Sequence, residues 1–239
     1  MNVAMESGKF ASYQYIYDNL SRIRAACADI AKKLGVDMPD ILAVTKSAES
    51  GEVEALVKAF GHKLIGENRT SLFNERYDLF DENERPEMHL IGSLQTNKVK
   101  YIAGKTALIH SLDSERLAME IEKQAAKRDI KMRVLIEINS AREEAKGGIL
   151  PEDAERFAET VKKHEHIRLA GVMTMGPVLA NAEDYRPYFR DTYTIFRSLR
   201  EKGYFEEKPV LSMGMSDSYK VAIEEGATLV RVGRALFVK

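Results

Sequence analysis

Between Asp40 and Val232 the sequence returns eight times to a short apolar run of strand length, with a longer segment of helical periodicity between each run and the next. The runs predict strands at 41–45, 63–66, 88–91, 107–111, 133–139, 169–174, 210–212 and 229–232. Helical patterns lie between them, near 51–60, 69–80, 94–104, 114–128, 151–163, 184–201 and 216–225. Nearly all-apolar strands in strict alternation with helices predict an α/β protein, its parallel sheet covered on both faces. Eight such strands in 239 residues, close to the typical ~250 of a (β/α)8 barrel, favour a closed TIM barrel over an open doubly wound sheet.

An extra helix precedes the barrel. Ile16, Leu20, Ile23, Cys27, Ile30 and Leu34 recur at steps of four and three, one apolar stripe on a helix of about 10–34. Gly35 stops it, and Pro39 holds the next residues extended before the barrel starts at about 40. The heptad is too short for a coiled coil, so the stripe is expected to pack on the barrel. No eighth helical pattern follows the last strand, and the N-terminal helix is expected to fill that gap in the outer ring. No Pro/Gly/Ser-rich linker divides the chain, which predicts one domain over 1–239. Pro151 with Glu152 and Asp153 suits a first helical turn, Ser216 is expected to cap the last helix, and Gly203 and Gly226 sit where helices should stop.

Composition narrows the function classes. Lys and Arg total 36 against 37 Asp and Glu, so a net charge of -1 gives no global pull toward nucleic acid or an anionic membrane. No stretch approaches the roughly 20 apolar residues of a membrane-spanning helix, and the polar N-terminus lacks a secretory apolar core. The single cysteine, Cys27, allows no internal disulfide and reads as a small core residue. The expectation is a cytoplasmic protein.

In this fold the chemistry gathers at the C-terminal ends of the strands. Strand one ends in Thr45-Lys46, strand two in Gly66-Glu67-Asn68, and strand seven in Ser212-Met213-Gly214-Met215-Ser216. Strand eight ends in Arg231-Val232-Gly233-Arg234. A lysine at the mouth, its stem among apolar neighbours, is partly desolvated and becomes a better nucleophile toward an aldehyde. By position alone, Lys46 reads more readily as a strand-end lysine that simply reaches solvent. The loops after strands seven and eight form the usual phosphate site of such barrels, and Ser212, Ser216, Gly214 and Gly233 supply small, hydrogen-bonding contacts there. An ordinary turn with a serine cap would carry the same residues.

Seven segments in order carry a resemblance: AVTK at 43–46, IGEN at 65–68, HLIGSLQTNK at 89–98, the Lys146-Gly147 pair, GVMTM at 171–175, SMGMSDSY at 212–219 and RVGRALF at 231–237. Together they resemble the pyridoxal phosphate homeostasis proteins (the YggS/PROSC family), which look like the barrel domain of alanine racemase standing alone. The resemblance implies pyridoxal 5′-phosphate (PLP) held as an internal aldimine on Lys46. It implies a phosphate cradle of Ser212, Gly214, Ser216, Gly233 and Arg234, with Asn68 near the ring and Arg231 facing the pyridine nitrogen. Arginine keeps its proton, so that nitrogen would stay unprotonated and the ring would be a weaker electron sink.

The implied role is intracellular PLP (vitamin B6) and amino-acid homeostasis, by a carrier or regulator without robust turnover and with no catalytic residue assigned. PLP-dependent apo-enzymes are the implied partners, and monomer or weak homodimer stays open. The chain ends at Lys239 without the second domain that gives alanine racemase its opposing base. Two alternatives remain: a PLP enzyme with weak amino-acid racemase activity, and a barrel enzyme for a phosphorylated metabolite. Arg69-Thr70 follows IGEN where the family pattern usually has Gln-Glu, and Arg234 stands where a small hydroxyl residue is usual. His89 reads as packed at strand three, His164 and His166 as a solvated helix end, and Lys98, Lys100 and Lys105 as a solvated face. No metal site is expected.

Overall fold

The structure is a computed structural model that describes residues 9–143 and 147–239. Eight parallel strands close in sequence order into a barrel. They are β1 (Asp40–Val44), β2 (Leu64–Glu67), β3 (Glu87–Leu90), β4 (Leu108–Leu112), β5 (Met132–Glu137), β6 (Ile167–Met173), β7 (Val210–Ser212) and β8 (Leu229–Val232). Closure is made by β1, which pairs with β2 on one side and with β8 on the other, in the register Leu42↔Arg231 and Ala43↔Val232. Each expected strand is present, with ends displaced by two residues at most.

Eight α-helices complete the fold: α1 (Gln14–Leu34), α2 (Ser50–Glu54), α3 (Thr70–Asp78), α4 (Glu115–Ala126), α5 (Ala154–Lys162), α6 (Arg186–Glu201), α7 (Tyr219–Glu224) and α8 (Arg234–Phe237). The connection expected to be helical near 94–104 holds only a 3-10 segment, Thr96–Tyr101. Gly104, at φ +84°, follows it and turns the chain toward β4. A helix does follow β8, as the single turn α8. Ser216 does not cap α7, which begins three residues further on, after Ser218; its hydroxyl instead accepts from the Ala235 N–H in the first turn of α8 at 3.2 Å.

The apolar stripe of α1 buries Ile16, Leu20, Ile23 and Cys27, while Leu34 at its end is exposed. Gly35 adopts φ +67° and ends the helix. On one side α1 packs against α7 and α8, where Asn19 Nδ2 donates to the carbonyls of Leu236 and Val238 at 3.1 and 2.8 Å. On the other side the Tyr15 hydroxyl meets Glu52 on α2. The N-terminal helix therefore occupies the gap in the outer ring, which burial of its stripe requires.

Alternation along the strands splits the core in two. Outward residues such as Ile41, Ile65, Leu90, Ile109, Val134, Val172 and Val230 meet the helices in one large cluster. Inside the barrel, Leu108, Leu135, Ala170 and Met173 form a smaller one. Gly171 shows how tightly β6 and β7 approach: a Cβ there would stand 1.9 Å from the Val210 carbonyl oxygen.

Candidate functional site

A cavity of about 570 Å³ opens at the C-terminal ends of the strands. Lys46 reaches it from the loop after β1, Asn68 from the end of β2, and Arg231 from inside β8. Ser216, Gly233 and Arg234 bring in the loops after β7 and β8. Val44, Ile91, Ile138, Met175 and Met215 supply the apolar wall. Six of the eight residues singled out in the sequence thus line one space. Lys46 is exposed at its rim, so the desolvation expected of it is absent. Lys146 lies outside the described residues.

Ser212 and Gly214 do not line the cavity; they lie beneath it, fully buried. The Ser212 hydroxyl accepts from Arg231 Nη1 at 2.7 Å and meets His110 Nδ1 at 3.1 Å. The Gly214 carbonyl accepts from the Arg231 N–H at 3.0 Å, and its φ of +87° is one that glycine adopts without strain. Arg231 Nη2 donates to the Thr174 carbonyl at 2.9 Å. Both residues therefore hold Arg231. Burial draws the Arg231 guanidinium down to about 10, opposed by the nearby Glu137 carboxylate, and it stays cationic at neutral pH.

The Arg234 guanidinium pairs with Asp217 at the rim. Gly233 passes close beneath β1: a Cβ there would stand 3.0 Å from the Val44 carbonyl oxygen. Gly92 is tighter, its missing Cβ 2.2 Å from the Asn68 carbonyl oxygen. These glycines let the strand ends crowd the floor without filling it.

Glu67, in the IGEN segment, turns away from the cavity into the layer between sheet and helices. It takes the Thr45 hydroxyl bond and faces Arg76 at 3.8 Å, and burial pushes its carboxyl up to about 7. Arg76 in turn donates to the Ala48 carbonyl and the Ser50 hydroxyl, fixing the loop that carries Lys46.

Two cavity carboxylates escaped the sequence reading. Glu137 and Asp113 line the wall beyond Ile138, and Glu137 is pushed up to about 7, first by burial and then by Asp113. A carboxylate ending an otherwise apolar strand was their signal. Of the residues set aside, His89 is packed inside the barrel, whereas His166 Nδ1 makes a hydrogen bond with Glu122 Oε1 at 2.8 Å. Lys98 and Lys100 both stand over the exposed ring of Tyr101. Among the described residues no cluster of His, Cys, Asp or Glu could hold a metal ion, and no helix is long and apolar enough to cross a membrane.

A family model described as the alanine racemase N-terminal domain matches residues 19–239. The pyridoxal phosphate homeostasis protein of Aquifex aeolicus (strain VF5) is 42% identical over 218 residues, 91% of this chain and 93% of that protein. The solved structure of PipY from Synechococcus elongatus PCC7942 without PLP superposes with a TM-score of 0.82 at 25% identity, over 93% of this chain and 100% of that one. The same protein with PLP bound superposes at 0.79 and 24% identity, over the same shares of the two chains. The barrel, the ordered strand-end motifs and these likenesses agree, and the chain belongs to the alanine racemase N-terminal domain family, among the pyridoxal phosphate homeostasis proteins.

Proposed function

We propose that this protein binds PLP at the barrel mouth, with the Lys46 amine as its covalent anchor, and serves PLP and amino-acid homeostasis in the cytoplasm. The observation that carries the reading is the convergence of Lys46, Asn68, Ser216, Arg231, Gly233 and Arg234 on one cavity. The donor set suits the cofactor. A primary amine stands at the rim for an aldehyde, and a buried cation with N–H donors stands deep in the barrel for a ring nitrogen. The joined loops after β7 and β8, carrying Ser216, Gly233 and Arg234, are the place for the phosphate. Ser212 and Gly214 belong to this reading as supports of Arg231, one step behind the cavity surface.

PLP supplies an aldehyde that captures amines and a ring that withdraws electrons. The residues of this chain do the remainder. Lys46 offers the attacking nitrogen, and the Glu67–Arg76 pair fixes its loop. Arg231 keeps its proton at neutral pH and so donates toward the ring position without taking a proton from it. The apolar wall excludes water from one side. PLP-dependent apo-enzymes are the proposed recipients, with an open mouth suited to transfer.

Glu137 favours a second reading. A carboxyl pushed up to about 7 beside the cavity can hold or release a proton at physiological pH, which would permit slow proton exchange on a bound amino acid. The binding reading is tested by equilibrium dialysis of cofactor-free protein against PLP, with pyridoxal and inorganic phosphate as competitors. Saturation at one equivalent, weakened by phosphate, is expected; no retention of PLP would overturn the reading.

A further inference from the structure

Barrel interiors are filled by branched apolar side chains in layers, and Leu108, Leu135, Ala170 and Met173 meet that expectation on the β4–β6 side. A file of polar groups threads the remainder. Glu87 Oε1 lies 3.0 Å from His89 Nε2, His89 Nδ1 lies 2.9 Å from His110 Nε2, and His110 Nδ1 lies 3.1 Å from Ser212 Oγ. Ser212 Oγ then takes the bond from Arg231 Nη1 at 2.7 Å. The four members from His89 to Arg231 are buried, while Glu87 is exposed at the opposite end of the barrel from the mouth.

Counting donors gives the file a direction. Arg231 can only donate, so Ser212 accepts from it and has its own hydroxyl proton to give. His110 Nδ1 takes that proton bond, which places the His110 hydrogen on Nε2. His89 Nδ1 accepts from it, which places the His89 hydrogen on Nε2, facing a carboxylate that can only accept. Every hydrogen bond points from mouth to base and none is left unmade. Burial, joined by the positive charge that a protonated His89 would carry and by that of Arg231, drives His110 well below its ordinary value and keeps it neutral.

We propose that Glu87, His89, His110 and Ser212 are positioning residues for Arg231, and that a proton taken up from solvent at His89 reverses the file and loosens Arg231 at the mouth. A protonated His89 donates from both nitrogens. His110 must then accept at Nε2 and carry its hydrogen on Nδ1, donating to Ser212. The file holds one proton more, and no bond between heavy atoms changes. Ser212 then accepts from both His110 and Arg231, its hydroxyl proton loses the His110 acceptor, and the cooperative support for the Arg231 bond is lost.

The basal opening beside His89 is lined by Arg24, Asp40, His62, Lys63, Glu87, His89, Arg133 and Lys208. His110 on β4 and Arg231 on β8 complete the charged and titratable surroundings of His89. Its hydrogen bond with His89 holds the Glu87 carboxyl below its ordinary value.

The inference rests on PLP binding only for what Arg231 meets at the mouth, so the first test uses cofactor-free protein. Nitrogen-15 imidazole spectra at neutral pH should show hydrogen on Nε2 of both His89 and His110. On acidification His110 should switch to Nδ1–H in step with proton uptake by His89, and in Ser212→Ala the two events should separate. A His110 tautomer that ignores His89 overturns the file, whatever the protein does with PLP. The second test is the absorption spectrum of PLP-loaded protein against pH. The wild type should show a transition, and Glu87→Gln, an exposed and conservative change, should move it to lower pH because the imidazolium loses its carboxylate partner. Superimposable profiles in the two proteins overturn the link to the mouth. Failure to load PLP, with the tautomer switch intact, would instead overturn the functional reading.

Discussion

Arg231, buried in the cavity lining, donates from Nη1 to the hydroxyl of Ser212, buried beneath it, at 2.7 Å. The serine that ends β7 thereby aims a guanidinium. Ser212→Ala leaves a buried cationic donor short of an acceptor, which costs about 1–3 kcal/mol. Urea denaturation should show that loss. PLP affinity should fall less than in Ser216→Ala, and a larger loss of phosphate competition in Ser212→Ala than in Ser216→Ala would reverse the assignment.

Gly92 crowds Asn68 so closely that a methyl group would stand 2.2 Å from the Asn68 carbonyl oxygen. Gly92→Ala must push the end of β2 and move Asn68 at the mouth. PLP should bind at least about tenfold more weakly, equivalent to about 1.4 kcal/mol, as read by dialysis. Unchanged affinity would remove Asn68 from the site.

Glu137 gives the stability curve a sign. Its carboxyl titrates at about 7 in the fold against an ordinary 4.5, so the fold binds more protons than the unfolded chain between those values. Its contribution is complete below the ordinary value and disappears as pH rises through about 7. Glu67 acts in the same direction. Glu137→Gln should therefore match wild type near the lower pH and exceed it at pH 8 by about 1–3 kcal/mol, the full shift being discounted for partial exposure. Equal pH profiles would show that the carboxyl is not desolvated.

Asn19 joins α1 to the end of the chain through two bonds to the Leu236 and Val238 carbonyls. Asn19→Ala should lower stability by about 1–3 kcal/mol and speed amide exchange in α1 and α8. Exchange confined to α1 would mean that the helix docks through its apolar stripe alone.

The barrel was legible because its strands are buried on both faces and its helices carry a stripe on one, two periods that sequence displays directly. The meeting of Lys46, Asn68, Ser216, Arg231, Gly233 and Arg234 around one cavity was legible because strand ends and motifs coincide. That Ser212 lies beneath Arg231 was not legible, because a one-dimensional pattern places residues along a strand without giving their depth. His110 went unremarked: a histidine beside a serine in the run Ala107–Leu112 gives no sign that its ring meets His89 and Ser212 from other strands. The connection at Thr96–Tyr101 carried helical spacing over too few residues to outlast the break at Gly104.

The central claim is that Lys46 anchors PLP at this mouth. Purified wild type and Lys46→Ala should be titrated with PLP by visible absorption, reduced with borohydride, and digested for mass spectrometry. The account predicts an absorption band in wild type that the variant lacks, and a reduced cofactor mass on the Lys46 peptide alone. A wild type that stays colourless with excess PLP, or the cofactor mass on another lysine, would contradict it.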